Sequence, residues 1–155
     1  MRITLLVLGL LTAARSFAAE IDWSTVFKEG LVNAEGKAVP TSSLKGKVVA
    51  VYFSAQWCPP CRGFTPSLVS FANENKEKLA VVFVSSDRGE AAQSKYMTEY
   101  KMPWPATPNG SPAGKGLAAK HGIRGIPTLL VFSKEGALIT ENGRDLNHLK
   151  AALER

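Results

Sequence analysis

The chain has 155 residues, is 45% hydrophobic and 21% charged, and carries a formal net charge of +6 at pH 7. This composition suits one globular domain with a substantial core and excludes a disordered or fibrous chain. The basicity is mild and comes with no basic run and no RNA-binding motif, so nucleic acid is not an expected partner.

Met1-Arg2 gives a positive start, and Ile3 to Ala14 is almost wholly apolar. Ser16-Phe17-Ala18 then sets small residues at the two positions a signal peptidase reads. This layout predicts a secretory signal peptide over residues 1–18, cleaved after Ala18. Cleavage after Ala19 is the second choice, because it puts bulky Phe17 at the outer recognition position. The apolar run is shorter than the roughly 20 residues that span a bilayer, which disfavours an uncleaved anchor. No cysteine lies near the cleavage site, which argues against a lipoprotein. Loss of Arg2 and Arg15 lowers the charge of the mature domain, residues 19–155, to +4. The expected product is exported, periplasmic first and secreted or in another oxidising compartment second, with no stable membrane insertion after cleavage.

The mature chain reads as alternating elements. Asp22 is placed to cap a short helix through Phe27, with Trp23 and Phe27 turned inward. Leu31-Val32 and Ala38-Val39 flank a hairpin turn at Asn33–Lys37. Val48 to Ser54 is a β-prone, near-continuous apolar run and predicts a buried strand. From Pro59 to about Asn75 the period becomes helical, with Phe64, Leu68 and Phe71 on one face. Pro59 and Pro60 suit a first turn, whereas Pro66 falls inside and is expected to kink the helix. Leu79 to Val84 is a second strand, Ser85 to Gly89 its loop, and Glu90 to Tyr100 a helix. Lys101 to Pro112 is a proline-rich loop holding Trp104. Ala113 to His121 forms a short helix ended by Gly122. Thr128 to Phe132 and Ala137 to Thr140 are strands about a turn at Lys134–Gly136, and a helix capped near Asp145 closes the chain. Strand–helix–strand–helix, then a hairpin and a helix, implies a mixed sheet covered on both faces.

The chain holds two cysteines, Cys58 and Cys61. A bridge across two intervening residues closes a tiny loop and contributes little unfolded-state entropy, so the pair is better placed for chemistry than for stabilisation. The thiolate is the reactive form, and a free thiol has a pKa of about 8.5. Cys58 stands at a helix N-terminus, where unpaired N–H groups and the helix dipole favour negative charge. Cys61 follows one turn later on the same face and can attack a mixed disulfide at Cys58. Cys58 is therefore the expected attacking thiol and Cys61 the resolving one. Trp57 is placed to shield the pair and to offer a partner a flat apolar surface. Pro59-Pro60 stiffens the loop but removes two N–H donors, which leaves the redox poise open. An inert disulfide is the bland alternative. Zinc is disfavoured, because only His121 and His148 remain as ligands and neither has ligand spacing to the pair. No metal and no cofactor beyond the cysteines is expected. Gly125-Ile126-Pro127-Thr128 opens a strand, where cis and trans Pro127 are equally open on spacing alone.

Val51 to Leu68, with Trp57-Cys58-Pro59-Pro60-Cys61-Arg62-Gly63-Phe64-Thr65-Pro66 at its centre, closely resembles the tryparedoxin/nucleoredoxin branch of the thioredoxin-like superfamily. Met102-Pro103-Trp104 and Gly125-Ile126-Pro127-Thr128-Leu129 are similar to segments of the same branch. The resemblance covers about residues 30 to 153. It implies a thioredoxin fold of class α/β, reversible dithiol–disulfide exchange, and a cis Ile126-Pro127 bond beside the cysteines, with Ile126 backbone groups pairing with a bound substrate chain. Tyr52 stands where ordinary thioredoxins carry a buried acid. Asp87 matches an acidic position of the branch and has two open roles, proton transfer or turn capping. Arg62 either favours the thiolate by charge or is simply solvated. Trp104 either lines the substrate groove or anchors its loop in the core. Ser86 departs from an aromatic common in the branch. The signal peptide departs from cytosolic tryparedoxins, so their trypanothione-dependent role is not carried over.

The leading functional expectation is an exported, monomeric disulfide reductase acting on protein thiol and disulfide clients, with a membrane reductase or a small thiol as electron donor. A thiol oxidase or isomerase is the alternative enzyme, and a fold-only binding module the alternative outside catalysis. A thiol peroxidase is disfavoured, because Ala55 occupies the threonine of the usual Thr-x-x-Cys context.

Overall fold

The computed structural model describes residues 21–154; the expected signal peptide lies outside the described residues. A four-stranded sheet forms the centre, in the order β4 (Leu79–Ser85), β3 (Val48–Ser54), β5 (Thr128–Phe132), β6 (Leu138–Thr140). β3 runs parallel to β4, in register from Val48 opposite Leu79 to Ser54 opposite Ser85. It runs antiparallel to β5, and β5 antiparallel to β6. All seven residues of β3 are buried, as its continuous apolar run requires.

The two faces of β3 feed two separate cores. Val48, Ala50 and Tyr52 join Leu68 and Ala72 of α2 (Pro59–Glu74), Tyr96 and Met97 of α3 (Glu90–Glu99), and Leu149 and Ala152 of α5 (Leu146–Leu153). Val49, Val51 and Phe53 join Trp23 of α1 (Trp23–Val26), Leu44 of a 3₁₀ turn (Thr41–Leu44), and Leu117 of α4 (Pro112–Lys120). The period of two along β3 thus sorts its side chains to opposite layers, and helices cover both faces as expected.

The helix starts follow from their caps. Asp22, Ser111 and Asp145 each accept a backbone N–H at the head of α1, α4 and α5. The backbone of α2 stays helical through Pro66, which is exposed on the outer surface. Gly122, past the end of α4, takes φ +60, a left-handed value suited to glycine.

The proline-rich loop contributes more than its composition suggests. β1 (Leu31–Val32) and β2 (Ala38–Val39) form the expected hairpin. Ala106 exchanges two backbone hydrogen bonds of 2.8 Å with Val32, while Pro105 and Thr107 bond to Phe83 of β4. One loop residue therefore splices the hairpin onto the edge of the central sheet. No helix among the described residues is long and apolar enough to cross a membrane.

Candidate active site

The site sits where β3 ends and α2 begins. Cys58 is the N-cap of α2, in an extended conformation, and is joined by a disulfide to Cys61 with their Cα atoms 5.2 Å apart. Pro59 and Pro60 fill the first two helical positions and carry no N–H. The first N–H the helix can offer is that of Cys61, and it points at the Cys58 sulfur at 3.3 Å. The paired prolines thus leave one aligned donor on the sulfur that would carry thiolate charge. Cys58 is 5% exposed and Cys61 fully buried, so Cys58 is the outer sulfur.

Ile126 closes the other side. The Ile126-Pro127 bond is cis, and the Ile126 carbonyl oxygen lies 3.8 Å from the Cys58 sulfur. Pro127 is buried and its carbonyl accepts from the Arg144 guanidinium at 3.3 Å. An open groove of about 560 Å³ runs past Cys58, walled by Phe53, Trp57, Pro60, Ile123 and Ile126, with Arg124 as its cation. Trp57 is 61% exposed, an unusual state for so large an apolar side chain, and its indole N–H donates to the Ser86 carbonyl at 3.2 Å.

Gln56 organises the rim, a role the sequence did not reveal. Its N–H donates to Asp87 Oδ1 at 2.8 Å, its carbonyl accepts from Arg62 Nη1 at 2.6 Å, and its side-chain amide donates to Glu99 Oε2 at 2.6 Å. Asp87 Oδ2 accepts from Ser85 Oγ at 2.8 Å. Both oxygens of the Asp87 carboxylate are thus engaged, which is the geometry of a loop clasp. Arg62 is directed at the Gln56 carbonyl, so its charge braces the loop that carries Trp57.

Behind the disulfide lies a cluster of hydroxyls. Tyr52 Oη, Ser54 Oγ, Thr65 Oγ1 and Tyr96 Oη come together from β3, α2 and α3, and Tyr52 and Thr65 also reach the Cys61 carbonyl oxygen. Burial pushes the Tyr52 phenol above its usual pKa, against hydrogen bonds from Ser54 and Thr65 that pull it down. Ser54, Thr65 and Tyr96 were not singled out in the sequence. The signal was faint: three ordinary polar residues at apolar-face positions.

One expected site residue is corrected. Trp104 is 5% exposed and packs edge-on against Tyr52, with ring centres 6.5 Å apart, inside the core shared with α2 and α3. It anchors its loop and does not line the groove, because Met102, Trp104 and Ala106 of that loop all turn inward. His121 lies 3.8 Å from Glu141 and His148 4.0 Å from Asp145.

A thioredoxin fold with a Cys-Pro-Pro-Cys couple at the head of the helix following the central strand defines the class: a thioredoxin-like protein with a redox-competent cysteine pair. The chain belongs to the thioredoxin-like family, whose model matches residues 46–138. It is similar to nucleoredoxin of Bos taurus, at 44% identity over 118 residues that make up 74% of this chain and 27% of that protein. The chain thus spans about a quarter of the nucleoredoxin's length. Among solved structures it is similar to a thioredoxin from Wuchereria bancrofti, with TM-score 0.68 and 38% identity, covering 80% of this chain and 93% of that one. Tryparedoxin I from Crithidia fasciculata matches with TM-score 0.70 and 36% identity, covering 83% and 90%.

Proposed function

We propose that this chain is an exported thiol–disulfide oxidoreductase that reduces protein disulfides with the Cys58/Cys61 couple. The observation that carries the reading is the asymmetric pair itself: an outer sulfur at the N-cap of α2, beside an apolar groove, joined to a buried sulfur one turn later. In the reduced form the Cys58 thiolate bonds to one sulfur of a client disulfide, and the other client sulfur leaves and takes up a proton. Cys61 then gives up its proton and bonds to the Cys58 sulfur. The Cys58–client bond breaks and the second client sulfur is protonated. The client gains two electrons and two protons, and the couple ends as a disulfide.

The remaining residues have positioning roles. Trp57 and Ile126 wall the groove and Pro127 is buried beside it, while Arg62 and Asp87 hold Gln56 and the loop behind it. A membrane reductase or a small thiol re-reduces the pair, and the protein works as a monomer. Export rests on the Met1–Ala18 pattern, and the thioredoxin and tryparedoxin likenesses support the exchange chemistry.

Insulin reduction driven by dithiothreitol tests the activity: wild type accelerates precipitation and Cys58→Ser does not. Equal rates for the two would sink the reading. A reduction potential near about −270 mV supports the reductase direction, and one near about −120 mV turns it to oxidase. Mass spectrometry of the native protein from fractionated cells tests export, with a mature N-terminus at Ala19 expected. Intact Met1 on a cytoplasmic product would overturn it.

A further inference from the structure

Six short contacts link the Tyr52, Ser54, Thr65 and Tyr96 hydroxyls to one another and to the Cys61 carbonyl: Tyr52–Thr65 at 2.9 Å, Thr65–Tyr96 at 2.6 Å, Tyr96–Ser54 at 3.1 Å, Ser54–Tyr52 at 3.0 Å, and Tyr52 and Thr65 to the carbonyl at 3.3 and 2.9 Å. A hydroxyl donates one hydrogen and accepts up to two. Four hydrogens therefore serve six contacts, and at any moment at least two contacts lack a hydrogen. The first four contacts close a ring, and Tyr52 and Thr65 are its two outlets. By rotation of their hydroxyls alone, these two can give the Cys61 carbonyl no hydrogen, one or two.

Cys61 is fully buried, and burial opposes the thiolate form that the resolving step requires. Ala55 and Ile126 pack against the cysteine pair and carry no charge. The ionisable groups around Cys61 are Tyr52 from β3, which reaches its carbonyl, Tyr96 from α3, one hydroxyl further on through Thr65, and Cys58 at the head of its own helix. Asp87, from the loop after β4, has both carboxylate oxygens committed to Gln56 and Ser85, and Arg62 is turned to the Gln56 carbonyl. The carbonyl oxygen of Cys61 belongs to the same residue as the sulfur, so its negative potential falls on that sulfur. Hydrogens directed at the oxygen offset it.

We infer that the Tyr52–Ser54–Thr65–Tyr96 ring is a positioning device for the resolving cysteine, whose reorientable hydroxyls stabilise the Cys61 thiolate through the Cys61 carbonyl. The inference rests on the reading of Cys61 as the resolving thiol. Tyr52 stays neutral, since burial raises its phenol above the usual pKa. The ring acts by turning dipoles and takes no proton. In the step it serves, the Cys61 proton passes to solvent, the Cys61 sulfur bonds to Cys58, and the departing client sulfur takes up a proton in its turn.

The test is made in a Cys58→Ser background, where Cys61 is the sole thiol and its ¹³Cβ shift reports its titration. Thr65→Val keeps the shape of the side chain and removes an outlet, and Tyr52→Phe removes the other. Each is expected to raise the Cys61 titration by about one pH unit, the worth of one hydrogen bond to a charge-bearing residue. Thr65→Ser keeps the hydroxyl and should return the wild-type value. In the wild-type cysteine background, release of a preformed Cys58–client mixed disulfide at pH 7 should slow about three-fold in Thr65→Val. A tenfold smaller thiolate fraction is there partly offset by higher nucleophilicity. A folded Thr65→Val or Tyr52→Phe with an unmoved titration and release rate overturns the inference, and so does a shift in Thr65→Ser equal to that in Thr65→Val. If instead Cys58→Ser alone still reduces insulin, it is the assignment of the two cysteines that fails.

Discussion

At the scale of single residues, Tyr52 shows how one substitution reaches both stability and pH. Its hydroxyl is buried and bonded to Ser54, Thr65 and the Cys61 carbonyl. Tyr52→Phe should cost about 1–2 kcal/mol at neutral pH, the usual worth of buried hydrogen bonds left with unpaired partners. The folded state raises the phenol's pKa, so its neutral form is the one favoured. The unfolded tyrosine ionises near pH 10, and from there upward the unfolded state gains what the folded one does not. Wild type therefore loses stability as pH rises through about 10, and Tyr52→Phe lacks this contribution. Urea midpoints at pH 7 and about pH 10.5 should show the gap between the two proteins narrowing. A constant gap would refute the linkage. Residue-scale legibility was uneven for a physical reason. Cys58 and Cys61 announce themselves because each has few roles open to it, whereas the cis bond at Pro127 follows from the resemblance, since spacing leaves cis and trans equal. Gln56, Thr65 and Tyr96 have many roles open, and theirs are set only where β3, α2 and α3 converge. Trp104 illustrates the reverse case, since a tryptophan in a proline-rich loop suits a groove wall and a buried anchor equally well.

Elements were easier to read than contacts, because their signals are local. Continuous apolar runs, helical periodicity, caps and glycine stops placed most strands and helices within a residue or two of their positions. The exception is Ala106, whose pairing with Val32 and proximity to Phe83 depend on chain segments far apart in sequence. Within α4 two glycines two positions apart have opposite prospects. A Cβ on Gly116 would meet nothing, whereas one on Gly114 would lie 2.8 Å from a methyl of Val84, a stiff β-branched residue held in β4. Gly116→Ala should raise stability by up to about 1 kcal/mol through helix propensity. Gly114→Ala should lower it, because the strand must give way. Thermal melts of the two variants decide the matter, and a higher melting temperature for Gly114→Ala would contradict the packing described.

For the whole molecule, β3 is a partition with a core on each side, and each core holds one tryptophan: Trp23 with Val49 and Phe53's layer, Trp104 with Tyr52's layer. The third, Trp57, stands exposed at the site. Because both layers hang on the same strand, they should melt together. In a Trp57→Phe background, variants keeping only Trp23 or only Trp104 allow each layer's unfolding to be followed by fluorescence. In each of them the fluorescence and far-ultraviolet circular dichroism transitions in urea should coincide. Separate transitions would show that the two layers unfold as independent units.

The order of strands also sets an order of arrival during synthesis. β3, the cysteine motif, α2 and β4 are contiguous in the chain and can pair as soon as they emerge. The antiparallel partner on the other edge of β3 begins only at Thr128, and Ile126, immediately before it, is the last wall of the groove to come into place. A nascent chain thus carries both sulfurs before the groove beside them is complete. Until β5 closes onto β3, the cysteine pair stands without the Ile126 wall that flanks it in the folded domain.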